Sequence, residues 1–174
     1  MLSISTGGNA TRSAITIAAA TGLMAVVPLS AAASTPSWGM GARTHSASST
    51  HQTVVTSVRI GHHTGYDRLV LTFHGPVPGY DVRYVASIQR DPSGRTVTLL
   101  GGAKMRIVLR PTSTSTPAPQ ATQTPRYPEI RQLKGAGDFE GVTSYGVGLA
   151  SKQAFRVFTL TSPNRLVVDV RQPR

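Results

Sequence analysis

Tyr66-Asp67-Arg68-Leu69-Val70-Leu71-Thr72-Phe73 and Pro163-Asn164-Arg165-Leu166-Val167-Val168-Asp169-Val170 are two versions of one pattern, a turn that delivers an arginine into a short apolar strand. In each, alternate residues (Leu69, Leu71 and Phe73; Leu166, Val168 and Val170) project to one face, while Thr72 and Asp169 project to the other. A period of two marks a strand in a half-buried sheet. The two copies bracket most of the foldable sequence and point to an all-β domain, an antiparallel β-sandwich of two sheets. No reaction-centre motif accompanies them, so the domain reads as one that holds a ligand rather than transforming it.

Working outward, the domain is expected to begin near Thr53, with strands over 55–60, 68–73 and 80–85. Pro76-Val77-Pro78-Gly79 turns the chain into the third. Asp91-Pro92-Ser93-Gly94 is a strong turn signal. Strands over 96–100 and 104–109 follow, separated by Gly101-Gly102. Residues 111–128 are Thr, Ser, Pro, Ala and Gln with little apolar surface, and read as a long, disordered exposed loop inside the domain. Strands resume over 129–134, 142–149, 155–160 and 166–170. The stretch 34–52 is rich in Ser, Thr, Ala and Gly and reads as a flexible tether. Regularly punctuated strands without a helical period favour a sandwich over a barrel.

Arg12 is the only charged side chain before Arg43, and it precedes an almost wholly apolar run over 14–27, closed by Pro28-Leu29-Ser30-Ala31-Ala32-Ala33. This three-part pattern reads as a secretory signal over 1–33, cut after Ala33 or one residue earlier. A retained anchor is the alternative, but the stretch lacks a basic stop-transfer flank, and no stable membrane span is expected after cleavage. The sequon Asn9-Ala10-Thr11 falls in the segment to be removed. Cysteine is absent, so the domain must be stable through packing alone. Roughly 120 residues suffice for one modest core.

Lys and Arg number 18 against 7 Asp and Glu. Removing the leader takes away Arg12 alone, and lysine occurs only at Lys104, Lys134 and Lys152, so the excess is arginine. Such a surplus attracts polyanions at long range. For an exported protein these are anionic wall polymers, peptidoglycan stem-peptide carboxylates or acidic headgroups rather than nucleic acid. Simple solubility is the alternative, because Arg59, Arg83, Arg106, Arg110 and Arg156 fall at outward strand positions.

Gly61-His62-His63-Thr64-Gly65-Tyr66-Asp67-Arg68-Leu69-Val70, then Pro78-Gly79-Tyr80, Asp138-Phe139-Glu140-Gly141, Phe155-Arg156-Val157, and finally Pro163 to Val170, together resemble the AMIN-like domain of secreted actinobacterial proteins and lipoproteins. The resemblance covers 53–173. It implies a β-sandwich module that directs a protein to the cell envelope by association with peptidoglycan, as AMIN domains do for cell-wall amidases. No amidase domain follows the sandwich here, and no cysteine is available for lipid, so neither hydrolysis nor lipid attachment is implied.

Several residues are of types that carry chemistry. His62 and His63 point to opposite faces if their strand extends that far; in a loop they would converge with Asp67, yet His74 is the only other ligand type nearby, too few for a metal site. Asp138 and Glu140 form a carboxylate pair at spacing two on a Gly-flanked turn, a pattern of solvated turn residues more than of glycoside hydrolysis. No Gly-x-Ser-x-Gly elbow surrounds a serine. Arg68 is expected to form a structural ion pair with Asp67, Glu140 or Asp169. Alternatively Arg68, Arg83 and Arg106 offer planar forks to a wall polymer, with Tyr66 adding a flat surface for sugar rings; Tyr80 and Tyr84 read as core. The expectation is an exported, non-enzymatic, cofactor-free envelope-binding domain, with a cell-wall glycan or anionic polymer as ligand. The alternative is a docking module for an envelope protein, acting through an exposed strand edge.

Overall fold

Arg43–His45 (β1), Val54–His63 (β2), Tyr66–His74 (β3), Gly79–Val85 (β4), Gln89–Arg90 (β5), Arg95–Thr96 (β6), Ala103–Arg110 (β7), Ile130–Phe139 (β8), Val142–Leu149 (β9), Phe155–Leu160 (β10) and Asn164–Arg171 (β11) are the strands of the computed structural model. It describes residues 36–120 and 122–173, among which no helix occurs. The expected leader lies outside the described residues. Every strand pairing is antiparallel, in a sheet ordered β10-β11-β3-β2 and a second ordered β1-β4-β7-β9-β8, with β5-β6 as a separate small ribbon. This is the expected all-β sandwich.

The two echoing segments are neighbours. β3 and β11 lie side by side at the centre of the four-stranded sheet, with Leu69 opposite Val168, Leu71 opposite Leu166 and Arg68 opposite Asp169. Their inward residues Leu69, Leu71, Phe73, Leu166, Val168 and Val170 are buried and meet Met105, Ile107, Leu109, Tyr145, Val147 and Leu149 from the other sheet in one core. Truncating Leu71, wholly buried, to Ala would cost about 2–5 kcal/mol. The whole of this core belongs to the compact unit Ser34–Arg174.

β8 and β9 join through Glu140-Gly141, both at positive φ (49° and 77°). Two such residues make the tight hairpin turn whose twist matches its strands. On the outward face of β9, Gly146 and Gly148 let residues 86–100 lie close. A Cβ on Gly146 would meet Ile88 Cδ1 at 2.8 Å. Ile88, Val97, Leu99 and Ala136 form a second small core there. The strand expected over 96–100 accordingly ends at Thr96. Beyond it the chain is held by Val97 N–H donating to the Ile88 carbonyl, Leu100 N–H to Gln132 Oε1 and Lys134 Nζ to the Thr98 carbonyl.

Two polar segments depart from their compositional reading. Instead of a free tether, residues 36–45 cross from one sheet to the other: Gly39 exchanges backbone hydrogen bonds with Phe155 (3.0 and 2.8 Å), and β1 then pairs with β4. Instead of a disordered loop, 111–120 and 122–128 close the opposite side. Ser113 N–H donates to the Thr53 carbonyl, Gln123 pairs with Leu133 in β8, and Gln123 Nε2 donates to the Val58 carbonyl in β2 (2.7 Å). Tyr145 Oη donates to the Pro119 carbonyl at 2.9 Å, and Asp138 Oδ2 accepts from Ala118 N–H at 2.7 Å. Partners supplied by the sandwich order these segments without much apolar burial of their own, and both guard sheet edges.

Candidate functional site

Among the described residues, no further layer of secondary structure covers the outward face of the four-stranded sheet. Strand alternation places Arg156, Phe158 and Leu160 of β10, Arg165, Val167, Asp169 and Arg171 of β11, Tyr66, Arg68 and Val70 of β3, and Arg59 and His63 of β2 on it. Register puts Arg156, Asp169 and Arg68 in one row across three strands. Asp169 is 0% and Val167 1% exposed. On an open face, only neighbouring side chains can bury them.

Arg68 donates Nε to Asp169 Oδ1 at 2.7 Å and Nη2 to Oδ2 at 2.9 Å, a bidentate fork. From the other side Arg156 Nε donates to the same Oδ2 at 2.9 Å. The hydrogen bond to Asp169 raises the Arg68 pKa above its ordinary value, against the opposing effect of burial. One carboxylate thus holds two guanidinium groups in place.

Aromatic rings interleave with these planes. Arg68 lies over Tyr66 (5.2 Å) and Phe158 (5.5 Å); Arg156 lies over Trp38 (4.5 Å), Tyr66 (5.5 Å) and Phe158 (5.7 Å); Arg171 lies over Trp38 at 4.9 Å. His63 stacks on Tyr66 with centroids 4.8 Å apart, and Trp38 leans on Tyr66 at 6.1 Å. These separations suit cation–π attraction. The chain's 7 acidic residues all lie among the described residues, and of them only Asp169 is on this face. Five arginines, Arg59, Arg68, Arg156, Arg165 and Arg171, share the face with it.

Of the residues weighed from sequence, Tyr66 and Arg68 join this platform, and Arg68 takes Asp169 as its partner. Asp67 points the other way, into the sandwich. Its Oδ2 accepts from the backbone N–H groups of Glu129 and Ile130 at 2.7 and 2.8 Å, and its Oδ1 contacts His62 Nδ1 at 2.9 Å. That carboxylate ties β3 to the start of β8. Glu140 sits exposed on the β8–β9 turn of the other sheet. Arg83 and Arg106 are cross-strand partners on the outward face of the five-stranded sheet, where Arg83 pairs with Asp81. They are not part of the Arg68 cluster. His62 and His63 turn to opposite faces, His62 to Asp67 and His63 to Tyr66, and do not converge with His74. Asp138 is engaged by Ala118 N–H and Thr143 Oγ1. Tyr84, whose hydroxyl donates to the Gln153 carbonyl, is pushed up to about 12 by burial, and burial also raises Tyr80 and Tyr145.

Sequence reading missed Trp38, Phe158 and Arg171. The signal for Trp38 was its being the sole tryptophan, set in an otherwise small, polar stretch. Arg171 needed the register: it faces Tyr66 across the ladder.

Glu129 lies beside the Asp67 carboxylate, fully buried. Its Oε1 accepts from Ser151 N–H at 3.2 Å and its Oε2 has no partner among the described residues. Burial, with the Asp67 charge adding to it, raises its pKa to about 7.

The family model described as the AMIN-like domain matches residues 53–172. Comparison with the curated proteins returns no match. AMIN-like domains occur in extracellular cell-wall proteins and are generally non-catalytic binding modules.

Proposed function

The chain belongs to the AMIN-like family, and from that premise we propose that it is an exported, non-catalytic module that binds the cell envelope, with peptidoglycan or an associated anionic wall polymer as its ligand. The observation that carries this reading is the segregation of charge on the four-stranded sheet. Five arginines and the rings of Trp38, Tyr66 and His63 share one open face with a single, buried acid. Guanidinium forks meet carboxylates and phosphates in two parallel hydrogen bonds, and Asp169 holds two of them in place beforehand, which reduces the ordering cost of binding. Long-range attraction then needs no pocket.

The alternative, protein docking through an exposed strand edge, has less support. The start of β10 is occupied by Gly39, and β8 and β2 are bridged by Gln123.

The test is co-sedimentation of Ser34–Arg174 with purified, protein-free cell walls across a salt series. Retention surviving moderate salt supports specific wall recognition. Retention lost at modest salt reduces the interaction to charge attraction, and none at any salt favours a protein partner. Comparing Arg156→Ala/Arg171→Ala with Arg83→Ala/Arg106→Ala assigns the face. The first pair is expected to lose most of the retention; a larger loss in the second would put the ligand on the other sheet.

A further inference from the structure

Trp38 lies upstream of the family-matched span 53–172, yet it is built into the platform. The two Gly39–Phe155 hydrogen bonds fix the chain immediately after it to the edge of β10. Its ring packs with the guanidinium of Arg156, the next residue of that strand, at 4.5 Å, and with that of Arg171 at 4.9 Å. Arg156 is anchored through Nε and Nη2 to Asp169. Arg171 is different: among the described residues its side chain has no carboxylate or hydrogen-bonding partner, only the indole ring. The two cations that flank Trp38 are therefore one held rigidly and one with its donors unspent.

We propose, resting on the envelope-binding reading, that Trp38, Arg156 and Arg171 form a subsite for a carboxylate-bearing sugar unit of an acidic polysaccharide, and that the docked segment 36–45 is part of the ligand site. The chemistry selects this occupant. Indole and phenol rings bury the flat C–H face of a pyranose, and adjacent guanidinium groups donate two parallel hydrogen bonds to its carboxylate. A neutral sugar would leave the cations unanswered. A phosphate polymer would satisfy the charge but offers no extended apolar face to the rings. The charge of the surface is complementary to such a chain, since its one acid, Asp169, is buried between Arg68 and Arg156.

The sole tryptophan makes the site its own reporter. Ser34–Arg174 is titrated with oligogalacturonate, a neutral maltooligosaccharide of equal length, and polyphosphate of matched charge, following Trp38 emission. A saturable change is expected with the uronate, none with the neutral sugar, and no saturable change with polyphosphate. Arg171→Ala, at an exposed position, is expected to weaken uronate binding about tenfold, the loss of one charge-assisted contact. Arg95→Gln, on the separate β5–β6 ribbon, leaves it unchanged. A silent uronate titration, an equal response to polyphosphate, or an unaltered Arg171→Ala affinity overturns the proposal. If walls retain the parent and Arg171→Ala alike while uronate is silent, the subsite falls and envelope binding stands. If uronate binds but walls do not retain the protein, the subsite stands and envelope binding falls.

Discussion

Asp169→Asn tests whether the buried carboxylate organises the platform. The substitution keeps the volume but removes the charge, and it turns one acceptor into an NH₂ donor facing guanidinium donors. Asp169 accepts three hydrogen bonds of 2.7–2.9 Å from two arginines. A hydrogen bond to a charged group is worth about 1.5–3 kcal/mol, but bonds within one network do not add. Breaking a fully buried pair costs about 3–5 kcal/mol. Here the acid is buried while the arginine side chains remain 24% and 14% exposed, so water recovers part of the cation's loss, and a net cost of about 2–4 kcal/mol is expected. With a urea dependence of about 1.5–2 kcal/mol per molar, the midpoint should fall by about 1–2.7 M. Unfolding is followed by Trp38 emission and by far-ultraviolet circular dichroism. The first probe reports the edge of the platform, the second the whole sandwich. A loss below about 1 kcal/mol would refute the reasoning, because Asp169 would then be no more than a surface ion-pair partner. A loss seen only by fluorescence would restrict its role to the local surface.

Glu129→Gln should change the pH dependence of stability. Because the folded pKa is raised from the ordinary 4.5 to about 7, the group's contribution is fully present below about pH 4.5, declines as pH rises and is lost above about 7. Ionised Glu129 then carries a cost of about 1–3 kcal/mol that the amide avoids. Urea midpoints at pH 5 and pH 8 should show the variant gaining on the parent at the higher pH, and identical pH dependence would contradict this. Gly148→Ala should destabilise by about 1–3 kcal/mol, since its Cβ would stand 2.0 Å from the Leu100 carbonyl oxygen; thermal melts check it. Tyr145→Phe removes the hydrogen bond to the Pro119 carbonyl and should cost about 1 kcal/mol while speeding proteolysis between 113 and 120. Unchanged cleavage there would mean that the hydroxyl does not hold the loop.

The strand pattern was legible because alternation is a local property. Leu69, Leu71 and Phe73 had to share a face whatever they packed against. That Arg68 would answer Asp169, rather than Asp67 or Glu140, was not legible. Period two excludes Asp67, whose side chain must leave the opposite face. Choosing between the other two requires knowing that β3 and β11 are direct neighbours in register. The echo contained a clue, since strands with matching arginine-led entries make a natural adjacent pair, but only pairing turns sequence separation into contact.

The polar segments teach the complementary lesson. Composition asks how much apolar surface a stretch can bury, and by that measure 34–52 and 111–128 have little to offer. Order here comes instead from groups that the sandwich presents at its open sides: the Phe155 backbone to Gly39, the Thr53 and Val58 carbonyls to Ser113 and Gln123, and Asp138 and Tyr145 to residues 118 and 119. Each partner would otherwise be an unpaired edge or a buried polar atom, so satisfying it stabilises host and segment together. The same docking brings Trp38 over Arg156. The segment that guards the edge of β10 therefore also supplies the outermost aromatic ring of the platform, and deleting it should open that strand edge and remove Trp38 from the platform in one step.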